Sequence, residues 1–162
     1  MDQLELVLFA IGDEFTDLSD LGEATRVVVR LLLAALLGGL LGYNRERHGK
    51  SAGLRTHMLV AMGSALFVMV PDLAGMAIAD MSRVIQGVIA GIGFLGAGTI
   101  IKRQADKEVF GLTTAAGIWT TAAIGIACGL GRELTAIISA LLAWAVLGVM
   151  QRLFEARRDE VE

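Results

Sequence analysis

The chain has 162 residues, 55% of them hydrophobic, with a mean hydropathy of +0.66, one proline and a formal net charge of −3. A soluble domain averages roughly 45–50% apolar residues, spread by amphipathic patterning, whereas here they are pooled in long uncharged runs that indicate one integral membrane domain. The small net charge argues against a nucleic-acid partner, and the single cysteine, Cys128, excludes an intrachain disulfide and a cysteine-based metal site. We expect Cys128 to be a small packing residue.

Residues 1–26 form an acidic segment with seven carboxylates and no basic residue before Arg26. Within this segment, residues 4–12 are apolar but too few to cross a bilayer, because a transmembrane helix needs about 20 residues. We therefore predict a short interfacial or packed helix there. A signal peptide is not predicted, because the positively charged n-region is missing.

Five apolar runs follow, and each predicts a membrane-spanning helix. They cover residues 27–43, 57–70, 84–101, 112–128 and 134–150. The second run has only fourteen clearly apolar residues before Pro71, so it must extend into its flanks or lie obliquely. The predicted fold class is all-α, a polytopic transmembrane helical bundle over residues 27–154, followed by a charged cytoplasmic tail over residues 155–162.

The central run, residues 84–101, has eighteen residues, no charge and five glycines. Small residues lie on more than one side of this helix, which predicts a place in the middle of the bundle. Two uses of the glycines stay open: close packing between helices, and local unwinding that offers backbone groups to an ion or anion. The glycines are Gly87, Gly91, Gly93, Gly96 and Gly98.

Basic residues predict the orientation of the bundle in the membrane. With five spans and the N-terminus outside, ten of the fourteen basic residues fall on the cytoplasmic side. We therefore predict a multi-pass protein with an outer N-terminus and a cytoplasmic C-terminus. The ten are Arg45, Arg47, Lys50, Arg55, Lys102, Arg103, Lys107, Arg152, Arg157 and Arg158, and the other four are Arg26, Arg30, Arg83 and Arg132.

A weak tandem repeat relates the two halves of the bundle. A shift of 58 residues superimposes Leu37-Gly38 on Leu95-Gly96, Arg45 on Arg103, and the G-L-x-T that begins at Gly53 on the one that begins at Gly111. Each half then consists of a Gly-rich helix, a basic loop and a second helix, which predicts two helical hairpins in the same orientation.

Ionisable side chains gather at the helix ends, and no Asp, Glu, Lys or His lies in the middle of a span. This pattern argues against a proton-coupled carrier with a buried carboxylate, because such carriers place ionisable groups inside the membrane. The candidate polar residues are Asn44, Arg45, Glu46, Arg55, Thr56 and His57 on the predicted cytoplasmic side, Asp80, Ser82 and Arg83 on the outer side, and Gln86 and Thr114 within spans.

Specific roles follow for a few of these residues. Asp80 and Ser82 suit the first turn or N-cap of the central helix, and the alternative is that Asp80 holds a hydrated divalent cation with Asp72. For Arg55, one interpretation is an orientation charge, and the other is a contact with Glu46 or helix carbonyls that locks the α-helical hairpin loop. No motif for nucleotide binding, zinc proteolysis or serine hydrolysis is present, so an enzyme is not expected.

Several motifs, in order along residues 30–150, resemble the MgtC/SapB family. They are G-L-L-G-Y-N-R-E-R (39–47), S-A-G-L-R-T-H-M-L-V (51–60), D-M-S-R-V (80–84), G-I-G-F-L-G-A-G (91–98) and G-L-T-T-A-A-G-I-W (111–119). The resemblance implies a small bacterial inner-membrane protein linked to growth in low magnesium and, in pathogens, to survival inside macrophages. The family is labelled as a proposed Mg²⁺ transporter, and some members are understood as regulators, including of the proton-translocating ATP synthase.

Two departures from the family pattern bear on function. Many members carry Glu in a G-x-E-R pattern where this chain has Asn44, which weakens a cation site that relies on that carboxylate, although Glu46 lies two residues on. Longer members add a soluble C-terminal domain, so we expect a short form without any regulation housed in that domain.

The function expected from the resemblance is Mg²⁺ or related ion homeostasis, without catalysis and with no cofactor beyond Mg²⁺ as a substrate or ligand. Two mechanisms stay open: transport near the central helix, and regulation by binding another membrane protein. A continuous polar path favours transport, whereas a dry core with an exposed Gly/Ala face favours regulation. The expected partners are the lipid bilayer and either copies of the chain or another inner-membrane protein.

Overall fold

Six helices and one short hairpin make up the described part of the chain. The computed structural model describes residues 2–14, 16, 20–102 and 109–159, with side chains described at 2–14, 16, 20–100 and 109–148. The elements are α1 (Gln3–Asp13), α2 (Leu21–Arg47), α3 (Leu54–Leu73), α4 (Ile78–Gly98), β1 (Ile101–Lys102), β2 (Val109–Phe110), α5 (Leu112–Gly129) and α6 (Glu133–Asp159). The two strands pair antiparallel, and the all-α class is confirmed.

Helices α2 to α5 are each long and apolar enough to cross a membrane, and α6 contributes a further apolar stretch, Glu133–Gly148. These five helices correspond to the five predicted spans. Helix α3 resolves the problem of the short second span, because it extends on both sides of the predicted run and continues through Pro71 to reach 20 residues. Helix α4 begins earlier than predicted and ends at Gly98, since Ile101 belongs to β1.

Small side chains form much of the core between α2, α3, α5 and α6. Alanines from these four helices are fully or nearly fully buried, together with Leu41, Ile124 and Cys128. Cys128 is a buried packing residue, as predicted. Close packing of small residues is the usual way for membrane helices to associate, because lipid tails offer no hydrophobic drive between them.

The closest helix contacts occur at glycines of α2 and α5. A Cβ atom at Gly38 would lie 2.5 Å from the carbonyl oxygen of His57, and one at Gly42 would lie 2.8 Å from that of Gly53. On α5, Cβ atoms at Gly125 and Gly129 would likewise clash with the α3 backbone, at the carbonyl oxygens of Ala61 and Ala65. Each pair is four residues apart, which is the small-xxx-small spacing of tightly packed membrane helices.

Helix α4 lies at the periphery, so the predicted place in the middle of the bundle is wrong. Only 11% of its most apolar window is buried, compared with 50% for α5. A Cβ atom added to four of its five glycines would meet nothing within 4 Å, and only Gly96 lies close to another helix, at Ala115. The helix is also continuous, so it is not unwound in this structure. The four open glycines are Gly87, Gly91, Gly93 and Gly98.

The contacts at the two Gly-rich helices agree with the predicted repeat. Gly38 of α2 contacts His57 of α3, and Gly96 of α4 contacts Ala115 of α5, exactly one repeat of 58 residues further along for both partners. The second helix of each hairpin begins after a glycine N-cap, Gly53 and Gly111. Arg103, the predicted counterpart of Arg45, lies outside the described residues.

Both terminal segments of the described chain contain helical residues. Helix α1 begins with a capping box formed by Asp2 and Glu5, and all its residues are exposed, which fits the interfacial rather than the packed alternative. At the other end, α6 continues to Asp159, so residues 155–159, predicted as tail, are helical.

Candidate functional site

A buried polar cluster lies where α2, α3 and α5 meet, at the end of the bundle that contains the α2–α3 loop, which we call the loop end. Arg45 of α2 is 5% exposed, His57 of α3 is fully buried, and Thr114 of α5 is 4% exposed. Ser51 of the loop lies at the surface beside them. These four residues are called the Arg45 cluster. Sequence reasoning selected three of them, but it did not predict that they would meet.

The guanidinium of Arg45 uses little of its hydrogen-bonding capacity. Its Nη2 donates to the hydroxyl of Thr114, and that hydroxyl lies 3.4 Å from the Oγ of Ser51. Its Nε is buried and has no partner within the described part of the chain. No carboxylate there pairs with Arg45 either. An isolated buried charge is costly, so this arrangement needs a physical explanation.

His57 presents a second unused nitrogen to the same place. Its Nδ1 donates to the carbonyl of Gly53 at 3.1 Å, which leaves Nε2 as the acceptor of the neutral ring. This Nε2 is buried and has no hydrogen-bond partner among the described residues. A Cβ atom at Gly117 would lie 3.5 Å from His57 Nε2 and 3.9 Å from Arg45 Nε, so glycine at this position leaves a small gap between the two nitrogens.

Glu46 fixes the α2–α3 loop, although not in the predicted way. Its Oε2 accepts a hydrogen bond from the backbone N–H of Leu54 at 2.7 Å, at the first residue of α3. Arg55 is exposed and has no partner among the described residues, which favours its interpretation as an orientation charge over the one in which it locks the loop. Thr56 is exposed as well. The helix N-terminus competes better for the carboxylate because its N–H groups are fixed in place.

The α2–α3 loop and the helix ends that flank it carry a net positive charge. Residues 44–57 contain four Arg or Lys residues and one carboxylate, Glu46, which is occupied at the start of α3. Asn44, where many family members have Glu, is largely buried and lies against Gly148 of α6. The cluster therefore has no acidic group that would attract Mg²⁺.

The N-terminal end of α4 gives no support to the alternative in which Asp80 and Asp72 hold a cation. Asp80 pairs with Arg83 at 3.2 Å, and Asp72 is not among the residues that line the pocket at Asp80. The N-cap of α4 is Ala77, so Asp80 lies in the first turn but caps nothing, and the hydroxyl of Ser82 donates to the carbonyl of Ala79. Among the described residues, no group of three or more His, Cys, Asp or Glu side chains is positioned to hold a metal ion.

Most polar residues within the spans are satisfied by their own helix. The hydroxyls of Thr99, Thr120 and Thr121 donate to carbonyls three or four residues earlier, and Gln86 is exposed. Hydrogen bonds between helices occur at Thr114 and at Arg30, whose Nη1 donates to the Gly129 carbonyl at 3.0 Å. The position of Arg30, one turn inside a predicted span, is the signal that could have identified it.

An apolar cleft separates α3 from α4 and has a volume of about 660 Å³. Three glycines and Ser64 widen it, and bulky apolar side chains form the rest of its walls. We call it the α3–α4 cleft. The glycines are Gly63, Gly87 and Gly91.

Comparison with known proteins finds a family profile and several relatives in sequence that match most of this chain. The profile described as "MgtC family" matches residues 31–156. Protein SrpB of Synechococcus elongatus is 50% identical over 135 residues, which cover 76% of this chain and 74% of SrpB. The Escherichia coli K12 protein named "Putative magnesium transporter YhiD" is 43% identical over 136 residues, which cover 78% of this chain and 61% of YhiD.

A third relative shows how much longer some of these proteins are. Protein MgtC of Brucella abortus is 41% identical over 122 residues, which cover 75% of this chain and 50% of that protein. The matched region is thus about half of Brucella MgtC and under two thirds of YhiD. No solved structure matches the chain.

Proposed function

Because the chain belongs to the MgtC family, we propose that it acts in Mg²⁺ homeostasis as a regulatory membrane protein that binds another membrane protein and catalyses no reaction. The observation that carries the proposal is the combination of an apolar core with a glycine face on α4 whose Cβ positions meet no other described residue within 4 Å. We place the protein in the bacterial inner membrane, with the N-terminus outside and the C-terminus in the cytoplasm, from the distribution of its basic residues.

The core supports regulation better than ion transport. The buried cluster that joins α2, α3, α5 and α6 consists of Ala, Leu, Ile and Cys side chains. The buried ionisable residues, Arg45 and His57, lie at the loop end, and the guanidinium repels a divalent cation. A Mg²⁺ path needs oxygen ligands or retained waters along the bundle, and the described core offers neither carboxylates nor an acidic cluster.

The glycine face of α4 is suited to a transmembrane helix of a partner. At about 100° per residue, Asp80, Gly87, Gly91 and Gly98 fall on one side of α4, and this side borders the α3–α4 cleft. Glycines allow the backbone of a second helix to approach, and the cleft has room for its bulky apolar side chains. The paired charges of Asp80 and Arg83 at the outer end are exposed and offer polar contacts to a partner.

Site-specific photo-crosslinking tests this proposal. We expect a photo-reactive residue at Phe94, which is 80% exposed on α4, to crosslink to a different membrane protein in cells grown in low magnesium. The same residue at Leu36, 68% exposed on α2, is the matched control and should give no such product. Gly91→Leu should abolish both the crosslink and complementation of a deletion strain, at normal membrane abundance. Crosslinks only between copies of this chain, or equal products from Phe94 and Leu36, would contradict the proposal.

Transport is the second candidate, because the name of YhiD refers to magnesium transport. The test is Mg²⁺ flux into proteoliposomes that contain only this protein. We expect no flux above that of empty liposomes. A saturable flux that Gly91→Leu leaves intact would support transport and contradict the regulatory proposal.

A further inference from the structure

Within the described part of the chain, no carboxylate compensates the positive charge of Arg45. Arg45 is 5% exposed and makes one hydrogen bond, to Thr114, within the described part of the chain. The carboxylate of the next residue, Glu46, accepts a hydrogen bond from the N–H of Leu54. Burying a charge without a counterion is strongly unfavourable, and buried charges are therefore paired, which a bound anion would achieve here.

The neighbouring groups are hydrogen-bond donors suited to an anion. The hydroxyls of Thr114 and Ser51, 3.4 Å apart, lead from the guanidinium to the surface, where Ser51 is exposed. Thr114 is the third residue of α5, and the N-cap residue of this 18-residue helix, Gly111, has no side chain that could cap it. The free N–H groups and the dipole of a helix N-terminus favour anions, which adds to the charge of Arg45.

The position of the cluster in the bundle indicates which anion can reach it. Arg45 lies two residues before the end of α2, and Tyr43, in the same helix turn, is 59% exposed. Exposed tyrosines near the ends of membrane helices are typical of the lipid headgroup region. Residues 44–57 carry three more basic residues than acidic ones. Basic pockets between membrane helices at this depth bind the phosphates of anionic lipid headgroups.

We propose that Arg45, Ser51 and Thr114 form a binding site for a phosphate-type oxyanion at the loop end of the bundle. The guanidinium supplies the charge and a planar set of donors, and the two hydroxyls fix the orientation of the oxyanion. The phosphate belongs either to an anionic lipid headgroup or to free inorganic phosphate, and the two sources offer the same oxygens. This site is independent of the α4 face.

Thermal unfolding of the purified full chain in a neutral detergent tests the site. The additions are inorganic phosphate, phosphatidylglycerol, and phosphatidylcholine as the zwitterionic control, all in chloride buffer at one ionic strength. We expect the midpoint to rise by about 5 °C at saturating phosphatidylglycerol or phosphate, because a ligand that binds only the folded state stabilises it. A shift with phosphatidylglycerol alone assigns the site to lipid, and a shift with phosphate alone assigns it to the free anion.

Three variants separate this site from general attraction to a basic surface. Arg45→Met removes the buried charge, so its midpoint without added anion should equal or exceed that of the wild type, and the anion should give no shift. Arg47→Met removes an exposed charge from the same end of α2 and should keep the full shift. Ser51→Ala, at an exposed position, should fold normally and lose at least half of the shift.

Three results would overturn the proposal. The first is the absence of a shift with either anion in the wild type. The second is an equal loss of the shift in Arg47→Met and Arg45→Met, which would show non-specific charge attraction. The third is a full shift in Ser51→Ala, and this variant decides the matter alone if Arg45→Met gives no folded protein.

Discussion

Two arginines flank the α2–α3 loop, ten residues apart in the chain, and only one of them is buried. Arg45 faces α5 and donates to Thr114, whereas Arg55, one residue into α3, is exposed. The difference follows from the helix faces: Arg45 follows the Gly38 and Gly42 side of α2, where the helices come closest.

Exchange of each arginine for lysine separates these roles. In Arg45→Lys the buried charge remains but the planar, multi-donor fork is lost, so we expect a lower thermal midpoint in detergent and reduced membrane abundance. Arg55→Lys should match the wild type in both measurements, because its side chain is solvated. Loss of stability in Arg55→Lys at an unchanged Arg45→Lys midpoint would show that the two assignments are reversed.

The carboxylate of Glu46 provides a second test at this scale. Glu46→Gln keeps the shape of the side chain but weakens its bond to the N–H of Leu54, which caps α3. Losing a cap of this kind typically costs about 1 kcal/mol, which predicts a lower thermal midpoint. Glu23→Gln, in the first turn of α2, is a control with the same charge change. An unchanged midpoint for Glu46→Gln would mean that the loop is held by packing alone.

Among the elements, α4 and α5 use their glycines in opposite ways. Glycines of α5 meet the backbone of α3, while a Cβ atom at four of the five on α4 would meet no described residue within 4 Å. Helix α5 therefore needs glycine for the fold of the monomer. On α4 the glycines are available for a contact outside the chain. The space that their missing side chains leave forms part of the α3–α4 cleft.

Substitution of one glycine on each helix tests this division. A Cβ atom at Gly125 meets the carbonyl oxygen of Ala61, so Gly125→Ala forces α3 and α5 apart. Overpacking of this kind costs ~1–3 kcal/mol, and we expect a clear loss of folded protein in detergent. Gly91→Ala is the matched control and should fold like the wild type, because nothing lies within 4 Å of its Cβ position. Equal damage by both substitutions would place α4 in a packed contact.

For the whole molecule, orientation in the membrane is the testable property. The ten-to-four division of basic residues predicts that a reporter fused after Glu162 is active in the cytoplasm, and that one placed before Met1 is active in the periplasm. An even number of crossings would put both reporters on one side. A periplasmic C-terminus would therefore contradict both the orientation and the count of five membrane crossings.

The internal repeat is a second property of the whole molecule. Contacts at Gly38 and Gly96 are related by the 58-residue shift that the sequence suggested, yet the two hairpins occupy different places. Helix α2 is covered by α3, α5 and α6, whereas α4 packs mainly on α5. A repeated sequence thus gives a repeated hairpin, and its surroundings decide which copy is buried.

The sequence by itself determined the class of protein, the family, the order of the helices and their approximate bounds. These properties depend on local features: an uncharged run of about 20 residues must cross the bilayer, and motifs such as G-L-R-T-H keep their spacing along the chain. The short second run was one place where two alternatives stayed open, extension or an oblique helix, and the structure shows the extension. Such arguments need only residues that are neighbours in sequence.

Only the tertiary structure decided that Arg45, Ser51, His57 and Thr114 form one cluster, and that α4 lies at the periphery. Arg45 and Thr114 are 69 residues apart, and no periodicity in either helix indicates the partner of the other. The glycines of α4 give the clearest case, because a small residue permits a close contact without specifying what makes it. Which faces become buried is settled by how all the helices pack together, a property that no single helix contains.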